Sequence, residues 1–476
     1  MPSHLSSALG TLYAFQKAAR LAQEKNQLDI LAGLKEGRSS IGLYHTAGKG
    51  TRMAPLPGAE NNNKPGVKLP ATANIGGVQA PITILESVIK QTGCYAKSRI
   101  GRLSVFWGDQ VFIPTVPVEY KVTHHVDILC SLGPMISEEE WKEKGMDKYG
   151  LIAQSVSGGA AQVEKVDYKT AVDLLKNLGQ IASVGVSLGS FSISWQMLVA
   201  LLDEFKTELA AKAGKFDSDP HLWMPMTLSR EADIQLIGKK GTSAEEAGAH
   251  YDRIAAMMVI FNEVDGNGIL GLFGPVDVGQ GVHWWDYGQL KLYQSNTLLL
   301  AAKSKEAELM RLFLGVDERV RHSTLINTEV DDESVVSSSI IGSAEGPSGF
   351  IRNCVISNVR CKHIEAEGCL LINVTADRII AKPGSILYNL IDTEGASNGG
   401  LLSAAEKEVR VGVFNDVGEQ AIVRSSLNID GGKAWETKLE ANHASFEAIH
   451  TSNMNACSIT LETVISKAHN DFWSSL

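Results

Sequence analysis

A short apolar run, Ser40-Ile41-Gly42-Leu43-Tyr44, gives way after His45 to Thr46-Ala47-Gly48-Lys49-Gly50-Thr51-Arg52-Met53. Few folds satisfy both halves of that pattern. The run is too short and too evenly apolar for an amphipathic helix, and it reads as a strand covered on both faces, as in parallel sheets. The turn that follows needs glycine, because a Cβ would block both positive φ and the close approach of a ligand. Backbone N–H groups in such a turn converge on one concavity, which suits phosphate. Arg52 and, beyond a short loop, Lys64 add fixed positive charge beside it. The turn is not a P-loop, since the four-residue spacer before Gly-Lys is missing, and Met53 stands where a dinucleotide fingerprint needs its third glycine.

The stretch from 41 to about 296 alternates strand-like with helix-like segments. Strands are expected at 41–44, 103–107, 126–130, 152–156, 184–193 and 257–261, and helices at 84–91, 168–178, 195–211 and 243–252. Such alternation predicts an α/β fold with a doubly wound, mostly parallel sheet, whose sites lie beyond the carboxyl ends of the strands. The glycine turn after Tyr44 and the Gly108-Asp109 turn after Trp107 both stand at such ends. Ahead of the sheet, Leu9, Leu12, Phe15, Ala19, Ala22, Leu28 and Leu31 keep helical spacing until Gly37. A further helix is expected over 290–312.

From 323 to 392 the texture changes. Short aliphatic pairs (Val335-Val336, Ile340-Ile341, Val355-Ile356, Leu370-Leu371, Ile379-Ile380, Leu390-Ile391) recur among small polar residues, many at spacings near five or six. One inward aliphatic residue per face is the demand of a triangular β-helix, and a small antiparallel sandwich is the alternative. Residues 343–349 read as an inserted loop and 394–404 as a polar linker. The expected plan is a helical segment over 1–40, an α/β domain over 41–300, a linking helix over 301–322, a β-helix-like domain over 323–400, and a C-terminal segment over 401–476. That last segment holds a strand near 409–414 and a terminal helix, with no role legible.

Length and charge bound the class. A chain of 476 residues exceeds one core. With 44% hydrophobic and 21% charged residues it can fill its cores. A formal net charge of −10 argues against nucleic-acid and anionic-membrane partners without forbidding a local basic pocket. Six cysteines, none in a C-x-x-C pair, imply reduced thiols. With no secretory signal and no apolar run of membrane-spanning length, the expected compartment is cytoplasmic, with organellar import left open.

Ala47-Gly48-Lys49-Gly50-Thr51-Arg52, then Pro55-Leu56 and Lys64-Pro65, resembles the N-terminal signature of sugar-1-phosphate nucleotidylyltransferases. The later elements follow in the family's order: Gly108-Asp109, Tyr149-Gly150, Glu164-Lys165, Ser187-Leu188-Gly189, and Asp286-Tyr287-Gly288-Gln289. The resemblance implies transfer of a nucleotidyl group from a nucleoside triphosphate, UTP favoured, to a sugar-1-phosphate, with release of pyrophosphate. It implies that Arg52 and Lys64 are catalytic, and that Ala47, Gly48, Gly50, Thr51 and Gly108 bind the nucleotide. Gly150, Glu164, Lys165, Ser187 and Gly189 would seat the sugar phosphate, and Asp109 and Asp286 would hold Mg²⁺. Between two anionic partners an enzyme must mainly align and neutralise, which is what these residue types do.

Three positions depart from the family pattern: Val166 for proline, Gln289 for threonine and Ser187 for asparagine. They motivate an alternative, an inactive relative that senses nucleotide sugars or assembles complexes. The β-helix-like domain suggests homo-oligomers, or, by resemblance to acetyltransferase β-helices, a second activity with His363 as base. Standing alone, Asp109 reads as a surface turn and Asp286 as a helix cap. His124 and His125 fall on opposite faces of a strand, and no zinc spacing or nucleophile elbow occurs.

Overall fold

Strand Ile41–His45 lies parallel to Arg102–Trp107, with Ile41 opposite Leu103 and His45 opposite Trp107. In this computed structural model, which describes residues 7–46, 48–75, 78–213, 222–238, 241–265, 270–392, 400–454 and 461–476, these two strands open a mixed sheet. Contacts divide the chain into two units, each assembled from separate stretches. The first comprises Met1–His45, Thr92–Trp107 and Phe112–His283; the second comprises Thr46–Gln91, Gly108–Val111 and Trp284–Leu476.

In the first unit the long strand Ile181–Ser194 occupies the middle of the sheet. It runs antiparallel to Arg102–Trp107 on one side and to His124–Gly133 on the other. His124–Gly133 in turn pairs in parallel with Gly271–Asp277. The hairpin Gly150–Ser155/Ala160–Glu164 adds to the early half of the long strand, again antiparallel. The expectation of a mostly parallel sheet therefore holds only for the two outer pairs. Apolar runs report burial, not direction, so sequence pattern cannot distinguish a strand that returns antiparallel.

Buried at the sheet, Arg102 donates to the carbonyls of His124 and His125 and lies 3.1 Å from Asp127. The N-terminal helix Ser7–Asn26 sends Leu9, Leu12 and Phe15 into the core beside Leu198, Leu201, Phe205 and Trp223. A second short helix, Ile30–Lys35, is capped by Asp29, whose Oδ1 accepts from Ala32 N–H at 2.9 Å. The strand expected at 257–261 is instead part of helix Ala244–Asp265.

In the second unit, short strands stack in parallel along two sheets. One contains Val335–Ser337, Val355–Cys361, Leu370–Thr375, Ile386–Ile391 and Glu408–Phe414; the other contains Gly349–Arg352, His363–Glu367, Arg378–Ala381 and Leu401–Ala404. These ladders are parallel, so the antiparallel sandwich is excluded. Ile356, Leu371 and Leu387 align from strand to strand on the buried side, as do Ile364, Ile379 and Leu402 in the other sheet.

Between strands of one sheet the governing period is not six. Asn358 hands its side-chain N–H to Asn373 Oδ1 15 residues on, at 2.7 Å, and Asn373 donates to Asn389 16 residues further, at 2.5 Å. All three sit at φ between +54° and +55°, a conformation asparagine tolerates better than most side chains. The far end of the stack is closed by antiparallel strand Gln420–Ser426 and by helix Leu461–Ser475, which sets Ile465 against Ile391 and Phe414. Among the described residues no helix is long and apolar enough to cross a membrane.

Candidate active site

The site residues expected from sequence fall into two groups, one in each unit. In the second unit the glycine turn follows the first strand directly. Gly48 and Gly50 adopt φ of +123° and +66°, and Gly50 begins a 3-10 turn, Thr51–Met53. Met53 is fully buried and pins that turn, while Arg52 beside it is exposed and forms no ion pair among the described residues. A methyl group on Gly50 would stand 3.1 Å from both Pro57 Cγ and Lys64 Cβ. The loop thus brings Lys64, in the 3-10 turn Lys64–Gly66, against the glycines. Ala47 lies outside the described residues.

Lys64 pairs with Asp109. Asp109 accepts Tyr287 N–H on its backbone carbonyl at 2.9 Å, which ties it to the Asp286 turn. Asp286 Oδ1 accepts from Gly288 N–H at 2.6 Å, and its carbonyl accepts from Asn296 at 2.8 Å. The three side chains converge on Gly288: a methyl group there would stand 2.8 Å from Asp286 Oδ1, 3.2 Å from Asp109 Oδ2 and 3.6 Å from Lys64 Nζ. Asp286 is no helix cap, since Gln289 holds the N-cap position of helix Leu290–Leu298 and the carboxylate bonds to Gly288 N–H ahead of it. Burial raises the Asp286 pKa; the Gly288 N–H opposes the rise, Asp109 adds to it, and Lys64 and Arg52 oppose it. Gly108, next to Asp109, is buried.

Among the described residues no three His, Cys, Asp or Glu side chains gather as a metal cage. Asp109 and Asp286 together supply two carboxylates, the set that suits Mg²⁺, which takes its other ligands from phosphate and water.

The first unit gathers the remaining residues. Gly150 opposes Glu164 in the hairpin, and a methyl group on Gly150 would stand 2.5 Å from Glu164 Oε2 and 3.7 Å from Ser187 Cβ. Ser187 Oγ accepts from Gly189 N–H at 3.1 Å. Gly189 sits where the register of the long strand shifts, at φ +70°, and a methyl group there would meet Trp107 Nε1 at 2.2 Å. Only glycine fits that contact. Lys165 adopts φ +52°, with Nζ 3.6 Å from Glu164 Oε1. Trp107 also packs on His45, ring centroids 5.1 Å apart, and burial lowers the His45 pKa.

Other residues of the site escaped the sequence reading. Glu60 and Lys68, on either side of Lys64, form a buried ion pair at 2.8 Å. Tyr388, from the stacked strands, accepts Lys68 N–H at 2.7 Å and donates to Glu60. Asn62 donates to the His450 carbonyl at 2.7 Å, and Asn453 donates to the Gly58 carbonyl at 2.7 Å. The asparagine run before Lys64 therefore contributes a contact surface. Its only trace in the sequence is the asparagines, which accept positive φ at 61 and 62.

No known family model matches the chain, and no curated protein matches it.

Proposed function

We propose that the protein transfers a nucleotidyl group from a nucleoside triphosphate, UTP favoured, to a sugar-1-phosphate in the presence of Mg²⁺. The observation that carries this reading is the convergence of Lys64, Asp109 and Asp286 on Gly288, beside a glycine turn whose exposed Arg52 forms no ion pair among the described residues. The turn's N–H groups and Arg52 would seat the triphosphate, and Asp109 and Asp286 would hold the ion. Mg²⁺ supplies charge neutralisation and polarises the phosphoryl oxygens. The sugar-phosphate oxygen attacks the α-phosphorus and pyrophosphate leaves. Glu164, Ser187 and the backbone at Gly150 and Gly189 offer acceptors and donors for sugar hydroxyls, and Lys165 offers charge for the sugar phosphate. In the same reading the parallel stack is a β-helix appended to a nucleotide-sugar transferase domain.

One observation favours the inactive relative: Lys64 and Asp109 neutralise each other, so a nucleotide must separate them to use either. Pyrophosphate release, measured over four nucleoside triphosphates and common sugar-1-phosphates, decides between the two. A productive pair that is lost in folded Asp109→Asn and Asp286→Asn supports transfer. Sugar-nucleotide binding without pyrophosphate release supports the sensor, and a productive pair unaffected by either substitution removes the site assignment.

A further inference from the structure

The C-terminal stretch Asn428-Ile429-Asp430-Gly431-Gly432-Lys433 is a second glycine-rich turn, and within the second unit it is seated on the first. Gly431 is buried, and a methyl group on it would stand 2.4 Å from the Thr51 carbonyl oxygen and 3.1 Å from Ala54 Cβ. That approach leaves room for no side chain. A methyl on Gly432 would lie 3.6 Å from Thr51 Oγ1 and 4.0 Å from Arg52 Cγ. Two residues further along, Trp435 lies under the Lys49 ammonium, 5.9 Å from ring centroid to Nζ, and its ring meets His450 edge-on at 5.5 Å. The two turns are thus locked together at their centres and at one side.

Their charges make the contact informative. Lys49, Arg52 and Lys433 are all exposed, and none forms an ion pair among the described residues. The nearby Asp430 turns its carboxylate onto its own loop, accepting from Gly432 N–H at 2.9 Å and Lys433 N–H at 3.3 Å. Arg52 and Lys433 thus stand on adjoining turns with their charged ends in solvent, while the one carboxylate of the second turn is held by its own backbone, which leaves both cations open to an anion.

We propose that residues 430–435 form the second wall of a polyphosphate site: Gly431 and Trp435 fix the first glycine turn, and Lys433 binds the anion together with Arg52. This rests on the phosphate role proposed for the first turn, and adds to it a residue from a part of the chain with no role in the transfer chemistry.

The test is calorimetric titration of the full chain with inorganic tripolyphosphate. Lys433→Ala is expected to weaken binding about tenfold, the loss of one charge-assisted contact. Lys433→Arg should restore most of it. Lys438→Ala, an exposed lysine five residues on, should leave it unchanged. Gly431→Val should weaken binding further by displacing the first turn. Wild-type affinity in Lys433→Ala, an equal loss in Lys438→Ala, or no binding by the wild-type chain overturns the proposal. Weakened binding in a chain that releases no pyrophosphate with any substrate pair leaves the anion site standing and removes the transfer reading. Full turnover with Lys433→Ala at wild-type affinity does the reverse.

Discussion

Lys68 donates to both carboxylate oxygens of Glu60, at 2.8 and 2.9 Å, and so closes the stretch of chain that carries Lys64. Lys68 is 3% exposed, and Glu462 from the last helix lies 3.3 Å from the same ammonium. Lys68→Met leaves the Glu60 carboxylate buried without its partner, at a cost of about 3–5 kcal/mol. The urea midpoint of the second unit should fall accordingly. Adding Glu60→Gln to that variant should recover part of the loss; a double variant no better than the single one would show that the pair is not the source.

Asp286→Asn separates stability from function. Burial holds the folded pKa of Asp286 above the ordinary 3.8, so the folded state favours the proton. The stability this contributes is present below the ordinary value and is lost as pH rises through the raised one. Asparagine keeps an acceptor for Gly288 N–H and removes the charge. The variant should melt higher than wild type at neutral pH, while turnover falls by about 10²-fold or more, as for loss of a group acting on the developing charge. A lower melting temperature would contradict the burial argument.

Asp233, in helix Arg230–Gly238 of the first unit, is buried with neither oxygen hydrogen-bonded among the described residues, and burial pushes its pKa up to about 7. Its folded value is raised, so its contribution to stability is present below the ordinary 3.8 and is lost as pH climbs through about 7. The unfolding midpoint of the first unit should drop between about pH 4 and 7, and Asp233→Asn should flatten that dependence. An unchanged slope in the variant would place the titrating group elsewhere.

Gly189→Ala drives a methyl group into the Trp107 indole and strains a left-handed backbone. Ser187 and Glu164 stand on the same patch, so the damage should appear in the sugar-phosphate KM, raised about tenfold to a hundredfold for a displacement near 1 Å. The nucleotide KM should hardly move. Equal changes in both would mean that the patch does not serve one substrate.

Much of the alternation of strands and helices was legible from 41 to 296, and Asp109 and Asp286 stood out because each follows an apolar run, whereas Lys64 was reached only through the resemblance of Lys64-Pro65 to a family motif. Strand direction was not legible, since Val184 and Ile193 would look the same in either orientation. The helix at 257–261 was hidden because Val259 and Ile260 are 59% and 62% exposed, which erases the polar break that would have given a helical period. The stacked strands announced their aliphatic pairs but concealed their true period, which is set by asparagines at 358, 373 and 389 rather than by the apolar positions. The partners of the glycine turn were invisible for a simpler reason: Asn62 meets a carbonyl 388 residues away, and no local pattern encodes a contact at that range.

The second unit is assembled from three stretches, with only Gly108–Val111 supplied between residue 91 and Trp284. This fixes an order on the newborn chain. The glycine turn is synthesised well ahead of Gly431, His450 and Asn453, and waits for them before it is held. A chain released before residue 430 would carry the glycine turn without the neighbours that shape it.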